Sequence, residues 1–177
     1  RYAFSGCKNL KKGKVDPQCI IDALAFEEEI DLALNEEDIL EKPPSATGPE
    51  LKGDTLIISS FSDFKKIDED FYKFKDARKI VFGKYMKIIR IPTFHARRTF
   101  DSFFSEFKNL RSIQGDEVVT LQENVFSDCR KLKTVIFPEL TKIGPYIFRD
   151  CKELTEFTTP KVTRIEPGAF LGCKNLK

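Results

Sequence analysis

Residues 126–132 read Phe-Ser-Asp-Cys-Arg-Lys-Leu, and the pattern Phe-x-x-Cys-x-x-Leu returns at 148–154 and 170–176. Each copy begins 22 residues after the previous one. Phe104 starts a related copy at the same interval, with Phe107 in place of the cysteine. A fixed period of roughly 20–29 residues predicts coils that stack on one another, because a single repeat cannot bury its apolar side chains alone.

The coil that begins at Phe126 illustrates the predicted internal structure. Residues 132–137 read Leu-Lys-Thr-Val-Ile-Phe, an L-x-x-L-x-L pattern that ends in a β-strand in leucine-rich repeats. Alternation along this strand points Val135 and Phe137 to the core and leaves Thr134 and Ile136 facing outward. A second apolar pair follows in each coil: Val118 and Leu121, Leu140 and Ile143, or Val162 and Ile165. The sequence predicts a leucine-rich repeat solenoid of four to five coils, a right-handed superhelix of mainly short parallel strands with turns or short helices.

Changes in composition divide the chain into three predicted parts. Residues 1–12 form a partial leucine-rich repeat, and residues 51–177 form the solenoid. Residues 13–50 hold 11 Asp and Glu against 2 Lys and end in a proline-rich linker, so they are predicted to be an acidic helical segment followed by a hinge. Phe71 and Phe104 are 33 residues apart, which predicts an insertion near 84–94, as a loop or an extra hairpin. Because the pattern is cut at both ends, we expect a piece of a longer array.

The composition argues against several classes of function. The net charge of +2 does not indicate a specific nucleic-acid partner, and no apolar run is long enough to predict a membrane-spanning segment. The only histidine is His95, it has no evident nucleophile partner, and no glycine-rich phosphate loop is present. We therefore expect no enzymatic activity, no cofactor and no metal.

Cysteines recur at one position of the repeat, three residues after the leading phenylalanine. They are Cys7, Cys129, Cys151 and Cys173. Phe107 takes this position in one coil, which indicates an apolar core site and favours buried, reduced thiols. Disulfides between equivalent positions of adjacent coils remain the alternative.

Residues 165–176, which read Ile-Glu-Pro-Gly-Ala-Phe-Leu-Gly-Cys-Lys-Asn-Leu, resemble the BspA-like leucine-rich repeat family (type 5). The resemblance covers 117–177 most clearly and also 1–12. It implies a non-enzymatic protein- or glycan-binding module, part of a cell-surface or secreted, adhesin-like protein. The alternative is an intracellular, cytoplasmic scaffold or structural protein whose solenoid docks onto a partner assembly.

Two basic columns are predicted on one edge of the coils. Four residues after each leading phenylalanine stand Lys8, Lys75, Lys108, Arg130, Lys152 and Lys174. Seven residues after it stand Lys11, Arg78, Arg111, Lys133, Thr155 and Lys177. Such columns would bind an anionic partner: an acidic protein, a sulfated or acidic glycan, or the acidic segment 13–50 of this same chain. The alternative is a solubilising edge, which nearby acids, Glu106, Asp128 and Asp150, would partly neutralise.

The outward strand face is the second candidate surface, with Ser112, Gln114, Thr134, Ile136, Glu156 and Thr158. The alternative is a solvated sheet without a ligand. Together the two surfaces give the predicted partner-binding residues Lys108, Arg111, Ser112, Arg130, Lys133, Thr134, Ile136, Lys152, Glu156 and Thr158. The oligomeric state is left open by the sequence.

Overall fold

The computed structural model describes residues 48–90 and 102–177. The partial repeat at 1–12, residues 13–47 of the predicted acidic segment, and His95 lie outside the described residues. The elements of the described part, in chain order, are β1 (Glu50–Lys52), β2 (Thr55–Ile58), α1 (Ser62–Glu69), α2 (Phe71–Phe74), β3 (Lys79–Phe82), β4 (Ile88–Ile89), a 3-10 turn (Phe103–Glu106), β5 (Ser112–Gly115), β6 (Thr120–Leu121), β7 (Thr134–Ile136), β8 (Lys142–Ile143), β9 (Glu156–Thr158) and β10 (Arg164–Ile165).

One six-stranded sheet, in the order β1-β2-β3-β5-β7-β9, runs along the coils. Strand β1 forms an antiparallel hairpin with β2, and every later pair is parallel. Val135 pairs with Ile113 on one side and with Phe157 on the other, each 22 residues away. Ile80 pairs with Ile113 across 33 residues in the same register. The predicted stacking of short parallel strands is therefore confirmed, while the right-handed course of the superhelix stays a prediction.

The second arm of each coil forms shorter parallel pairs, β4 with β6 and β8 with β10. Ile88 pairs with Thr120 and Ile89 pairs with Leu121. The prediction that Ile88 and Ile89 belong to an insertion near 84–94 was wrong, because this pairing makes them a regular part of their coil. One extra residue therefore lies between β3 and β4, and the others come after Ile89, before β5.

The leading phenylalanines stack in one column, as predicted. Ring centroids are 4.8 Å apart between Phe104 and Phe126, 5.8 Å between Phe126 and Phe148, and 5.6 Å between Phe148 and Phe170. The last two pairs are nearly coplanar, at 8° and 10°. Beyond Phe104, towards the N-terminus, Phe64 of α1 continues the column, with its ring centroid 5.8 Å from that of Phe104. Phe71 is displaced from it and packs on Phe107 instead.

Left-handed backbone shapes the turn around each phenylalanine of the regular coils. Positive φ angles occur two residues before and two residues after it, at Asn124, Asp128, Tyr146, Asp150, Gly168 and Gly172. The turns of adjacent coils also exchange backbone hydrogen bonds, since Phe126 N donates to Ile147 O at 3.1 Å and Phe148 N to Ala169 O at 2.9 Å. Neighbouring coils are thus joined by backbone hydrogen bonds in three places: the main sheet, the shorter strand pairs and these turns.

A buried carboxylate connects β2 to α1. Asp63 is 1% exposed, and its carboxylate accepts hydrogen bonds from Ser59 N at 2.8 Å and from Ser60 N at 3.1 Å. The hydroxyl of Ser60 donates to the same carboxylate at 2.9 Å. These bonds satisfy backbone donors where the chain leaves the sheet and enters the helix.

Candidate functional site

The predicted basic residues lie on consecutive rungs of the solenoid. Arg111 N donates to Arg78 O at 2.7 Å, and Lys133 N donates to Arg111 O at 2.7 Å. These three residues directly precede β3, β5 and β7, and the side chains of all three are exposed. The backbone therefore places one basic side chain in each of three neighbouring coils, at strand spacing.

The other basic column lies on tight turns three residues earlier. Leu110 N donates to Phe107 O at 2.9 Å, and Leu132 N donates to Cys129 O at 3.0 Å. The two residues between form the tip of each turn, where Lys108, Arg130 and Lys131 are exposed and Asn109 is partly buried. We call the two columns together the basic edge and define it by the basic residues at the fourth and seventh positions of four coils: Lys75, Arg78, Lys108, Arg111, Arg130, Lys133 and Lys152.

Acidic partners occupy part of the basic edge. Asp128 pairs with Arg130 at 3.2 Å, as the alternative interpretation had expected. Asp150 was expected to neutralise Lys152 but pairs with Arg149 at 3.4 Å. That expectation was wrong, because Arg149 directly precedes Asp150 and takes its carboxylate, whereas Ser127 holds the equivalent position before Asp128.

A polar column that sequence reasoning missed runs between the two basic columns, at the fifth position of the coils. Its members are Asp76, Asn109, Lys131 and Glu153. Asn109 Nδ2 donates to Asp76 Oδ1 at 3.3 Å, and Lys131 Nζ donates to Asn109 Oδ1 at 3.2 Å. Aligning the coils on their leading phenylalanines and reading the fifth residue after each would have found the column.

The acids of this middle column pair with two lysines of the basic edge. Asp76 lies 2.9 Å from Lys75, whose hydrogen bond and charge lower the pKa of that carboxyl. Glu153 lies 3.6 Å from Lys133. Both contacts are solvent-exposed, so they reduce the local charge without fixing the side chains strongly.

The centre of the basic edge has no acidic partner within residues 48–90 and 102–177. Arg78 and Arg111 make no side-chain ion pair there, and Lys108 Nζ donates to the backbone carbonyl of Ser105 at 2.9 Å. All three side chains are exposed. Positive potential is therefore concentrated on two adjacent coils, where the net charge of +2 would not indicate it.

The outward strand face is continuous across the sheet. Thr134 lies between Ser112 and Glu156, and Ile136 lies between Gln114 and Thr158. The hydroxyl of Thr134 donates to Glu156 Oε2 at 3.1 Å. The same two rows extend onto the earlier strands through residues that were not among the predicted ones: Lys79 and Val81 on β3, and Thr55 and Ile57 on β2. The structure thus brings the predicted strand residues together on a larger face than expected.

The three described cysteines are free thiols, and two of them donate hydrogen bonds to the preceding coil. Cys151 Sγ donates to Phe126 O at 3.2 Å, and Cys173 Sγ donates to Phe148 O at 3.0 Å. Burial raises the pKa of all three described thiols, Cys129 included. Thiols held in the protonated form are poor nucleophiles, so these cysteines act as packing groups.

Within the described ranges, no group of three or more His, Cys, Asp and Glu residues is arranged to hold a metal ion. The helices described are also too short or too polar to cross a membrane.

Comparison with known proteins identifies the repeat. Residues 65–177 match the BspA type leucine-rich repeat region in six copies. No curated protein and no solved structure matches the chain.

Proposed function

The chain belongs to the BspA type leucine-rich repeat family, and from this membership we propose that it is a non-enzymatic ligand-binding module of a cell-surface or secreted, adhesin-like protein. Leucine-rich repeat domains generally mediate protein binding, and the repeat families of this type are generally non-enzymatic. The proposed partner is a protein or an acidic glycan. No step of chemistry is assigned to any side chain.

The observation that carries the proposal is the unbroken outward face of five parallel strands. Ser112, Thr134 and Glu156 form one row across it, and Ile136 and Thr158 belong to the next. The packed core on the other side of the sheet fixes the spacing of these side chains, because Val135 and Leu132 are fully buried there. A rigid face loses little conformational entropy on binding, which favours its use as a recognition surface.

The basic edge adjoins this face in two central coils, since Arg111 directly precedes Ser112, and Lys133 directly precedes Thr134. We include Lys108, Arg130 and Lys152 from the turns in the proposed binding surface. Charged residues at the border of an interface mainly set the rate of association and the choice of partner.

A binding screen with matched surface variants tests this function. The immobilised chain is expected to bind at least one member of a panel of extracellular matrix proteins, glycans and whole host cells. Ile136→Lys on β7 is expected to weaken that binding, whereas Thr120→Lys on β6, on the other arm of the coil, leaves it unchanged. Failure of every ligand to bind above the level of a chain with a scrambled surface would contradict the proposal.

A second candidate is an intracellular scaffold that docks onto a partner assembly. It is favoured by one observation: Cys129, Cys151 and Cys173 are free thiols, which persist more readily in a reducing compartment. Antibody labelling of intact cells, with and without surface proteolysis, distinguishes the two. Labelling that is removed by protease supports the adhesin, and labelling that requires permeabilised cells supports the scaffold.

A further inference from the structure

The centre of the basic edge is formed by Arg78, Lys108 and Arg111 and lies on two adjacent coils. None of these three side chains pairs with a carboxylate among the described residues. We propose that this centre binds a linear sulfated polysaccharide, aligned along the stacking direction of the coils. The inference rests on the binding function proposed above and names the ligand class of one part of that surface.

The repeat gives the site a one-dimensional array of charge. Backbone hydrogen bonds of 2.7 Å place Arg78, Arg111 and Lys133 on successive rungs. Adjacent strands are separated by about 4.8 Å, so basic side chains follow one another at a short, regular spacing. A linear polysaccharide with sulfate groups on successive sugar units offers anions in a matching row.

The chemistry of the three side chains suits sulfate. A guanidinium is planar and offers several N–H donors, which can bind two oxygens of one anion at once. Within the described ranges, neither Arg78 nor Arg111 pairs its guanidinium with a carboxylate. Lys108 bonds to the neutral carbonyl of Ser105, so its positive charge is not compensated by that contact.

The residues between the columns favour a glycan over an acidic protein segment. The middle position holds polar residues such as Asn109 and Lys131, and the next position is a buried core residue such as Leu110 or Leu132. Protein interfaces draw most of their affinity from aromatic or aliphatic anchors in desolvated pockets. The edge offers exposed charge and hydrogen-bond donors instead, which fits a ligand that is itself polar along its whole length.

The pattern of ion pairs also limits the extent of the site. Lys75 pairs with Asp76, Arg130 with Asp128, and Lys133 with Glu153. The carboxylates of Asp128 and Glu153 lower the positive potential on the coils that follow the centre and would repel an anion that extended past it. Asp76 lies in the coil of Arg78 itself, where its carboxylate contacts Lys75 and Asn109. The strongest contacts are therefore expected on the coils of Arg78 and Arg111.

The test measures binding of the full chain to a heparin oligosaccharide of defined length by calorimetry. The variant is Lys108→Gln with Arg111→Gln. The matched control is Lys142→Gln with Arg164→Gln, which removes two positive charges from the second arm of the coils, where both side chains pair with Glu166. Circular dichroism and thermal unfolding show whether each variant keeps the fold.

The edge variant is expected to lose affinity by on the order of fivefold per charge removed, the effect of one basic residue beside an anionic surface. The control variant is expected to bind like the unaltered chain. Binding should weaken as salt rises towards about 0.15 M, where exposed charges are screened over roughly 8 Å. The salt dependence should be shallower for the edge variant, because it makes fewer ionic contacts.

Three further ligands decide between chemistries: a desulfated heparin oligosaccharide, a poly-glutamate peptide, and single-stranded DNA of equal charge. Heparin binding that exceeds all three supports the proposal. Equal binding of poly-glutamate assigns the edge to an acidic protein, equal binding of DNA makes it a non-selective polyanion surface, and each of these results overturns the proposal. An equal loss in the edge and control variants also overturns it. If heparin fails while a protein ligand still binds the strand face, this inference is wrong and the proposed function stands.

Discussion

The coils that begin at Phe126 and Phe148 differ from those that begin at Phe71 and Phe104 in how they turn. The first two use left-handed residues on both sides of the phenylalanine, such as Asn124 and Asp128. The other two use short helical turns, α2 and the 3-10 turn Phe103–Glu106. The strands that follow nevertheless pair in one register, because Ile80, Ile113 and Val135 lie side by side.

This difference teaches that the strand ladder, and not the turn, defines the coil. The connection from β3 to β5 carries extra residues, and α1 is inserted between β2 and β3, yet neither shifts the ladder by one residue. A shift of one residue would move the whole apolar set of a strand to the solvent side, so register is strongly specified wherever one face is buried.

The largest expected effect comes from breaking the regular column at its centre. Phe126 is fully buried and its ring lies 4.8 Å from Phe104 and 5.8 Å from Phe148. Phe126→Ala should lower the free energy of unfolding by about 3–5 kcal/mol, since it leaves a cavity between two coils. Phe71→Ala, in the helical coil, removes a partly buried ring and should cost less than half as much. Urea unfolding followed by circular dichroism checks both, and equal losses would show that the two kinds of coil depend equally on this position.

A smaller effect is expected where the two kinds of coil meet. Gly115 lies between Phe82 and Phe137, which touch across it with ring centroids 6.2 Å apart. A Cβ atom at Gly115 would come within 2.5 Å of Val118 Cγ2 and 3.1 Å of Phe137 Cε1. Gly115→Val should therefore cost about 1–3 kcal/mol through overpacking.

Gly53→Ala in the β1–β2 hairpin provides a contrast for this prediction. An added Cβ meets no atom within 4 Å there, although φ is +62°, so any cost at Gly53 is conformational and not steric. If Gly115→Val were tolerated as well as Gly53→Ala, the close packing of Phe82 and Phe137 would not be important for stability.

The 22-residue period was sufficient to predict the ladder, the phenylalanine column and the outward rows of β7 and β9. It could not predict α1, because Phe64 and Ile67 fill the core from a segment that does not follow the repeat. Nor could it place Ile88 and Ile89, whose coil carries one additional residue between its two arms. Nor could it predict the ion pairs of the basic edge, since Asp128 and Asp150 hold the same repeat position with the same left-handed backbone, yet Asp128 pairs with the following Arg130 and Asp150 with the preceding Arg149.

The cysteine column extends the comparison to pH, because the regular coils have Cys129 and Cys151 where the earlier coil has Phe107. Burial raises the pKa of both thiols above that of about 8.5 in the unfolded chain. Above this pH the unfolded state has released protons that the folded state still binds, so stability falls as pH rises. The slope should approach about 1.4 kcal/mol per pH unit for each thiol.

Unfolding in urea at a series of pH values from neutral to about 10, under reducing conditions, measures this slope. Cys129→Ala should reduce the slope of stability against pH by the contribution of one thiol. Leu132→Val, a neighbouring core variant without a titrating group, should lower stability at every pH and leave the slope unchanged. A slope that is the same in Cys129→Ala and in the unaltered chain would mean that Cys129 ionises as easily in the folded protein as in the unfolded one.

The smallest effects are expected at the left-handed residues that distinguish the regular turns. Asp150 has φ of 58°, and the equivalent position one coil later is Gly172, with φ of 82°. Asp150→Ala should cost about 1 kcal/mol, because a Cβ atom is disfavoured in this conformation and alanine lacks the local hydrogen bonds of aspartate. Asp150→Gly should change stability by only a few tenths of a kcal/mol, since relief of strain is offset by the greater freedom of glycine when unfolded. Both variants lose the exposed pair with Arg149, so the difference between their stabilities measures the backbone effect alone.

Thermal unfolding compares the two variants. Equal stabilities of Asp150→Ala and Asp150→Gly would mean that the regular turn does not depend on a left-handed residue at this site, and that the helical turns of the earlier coils could replace it.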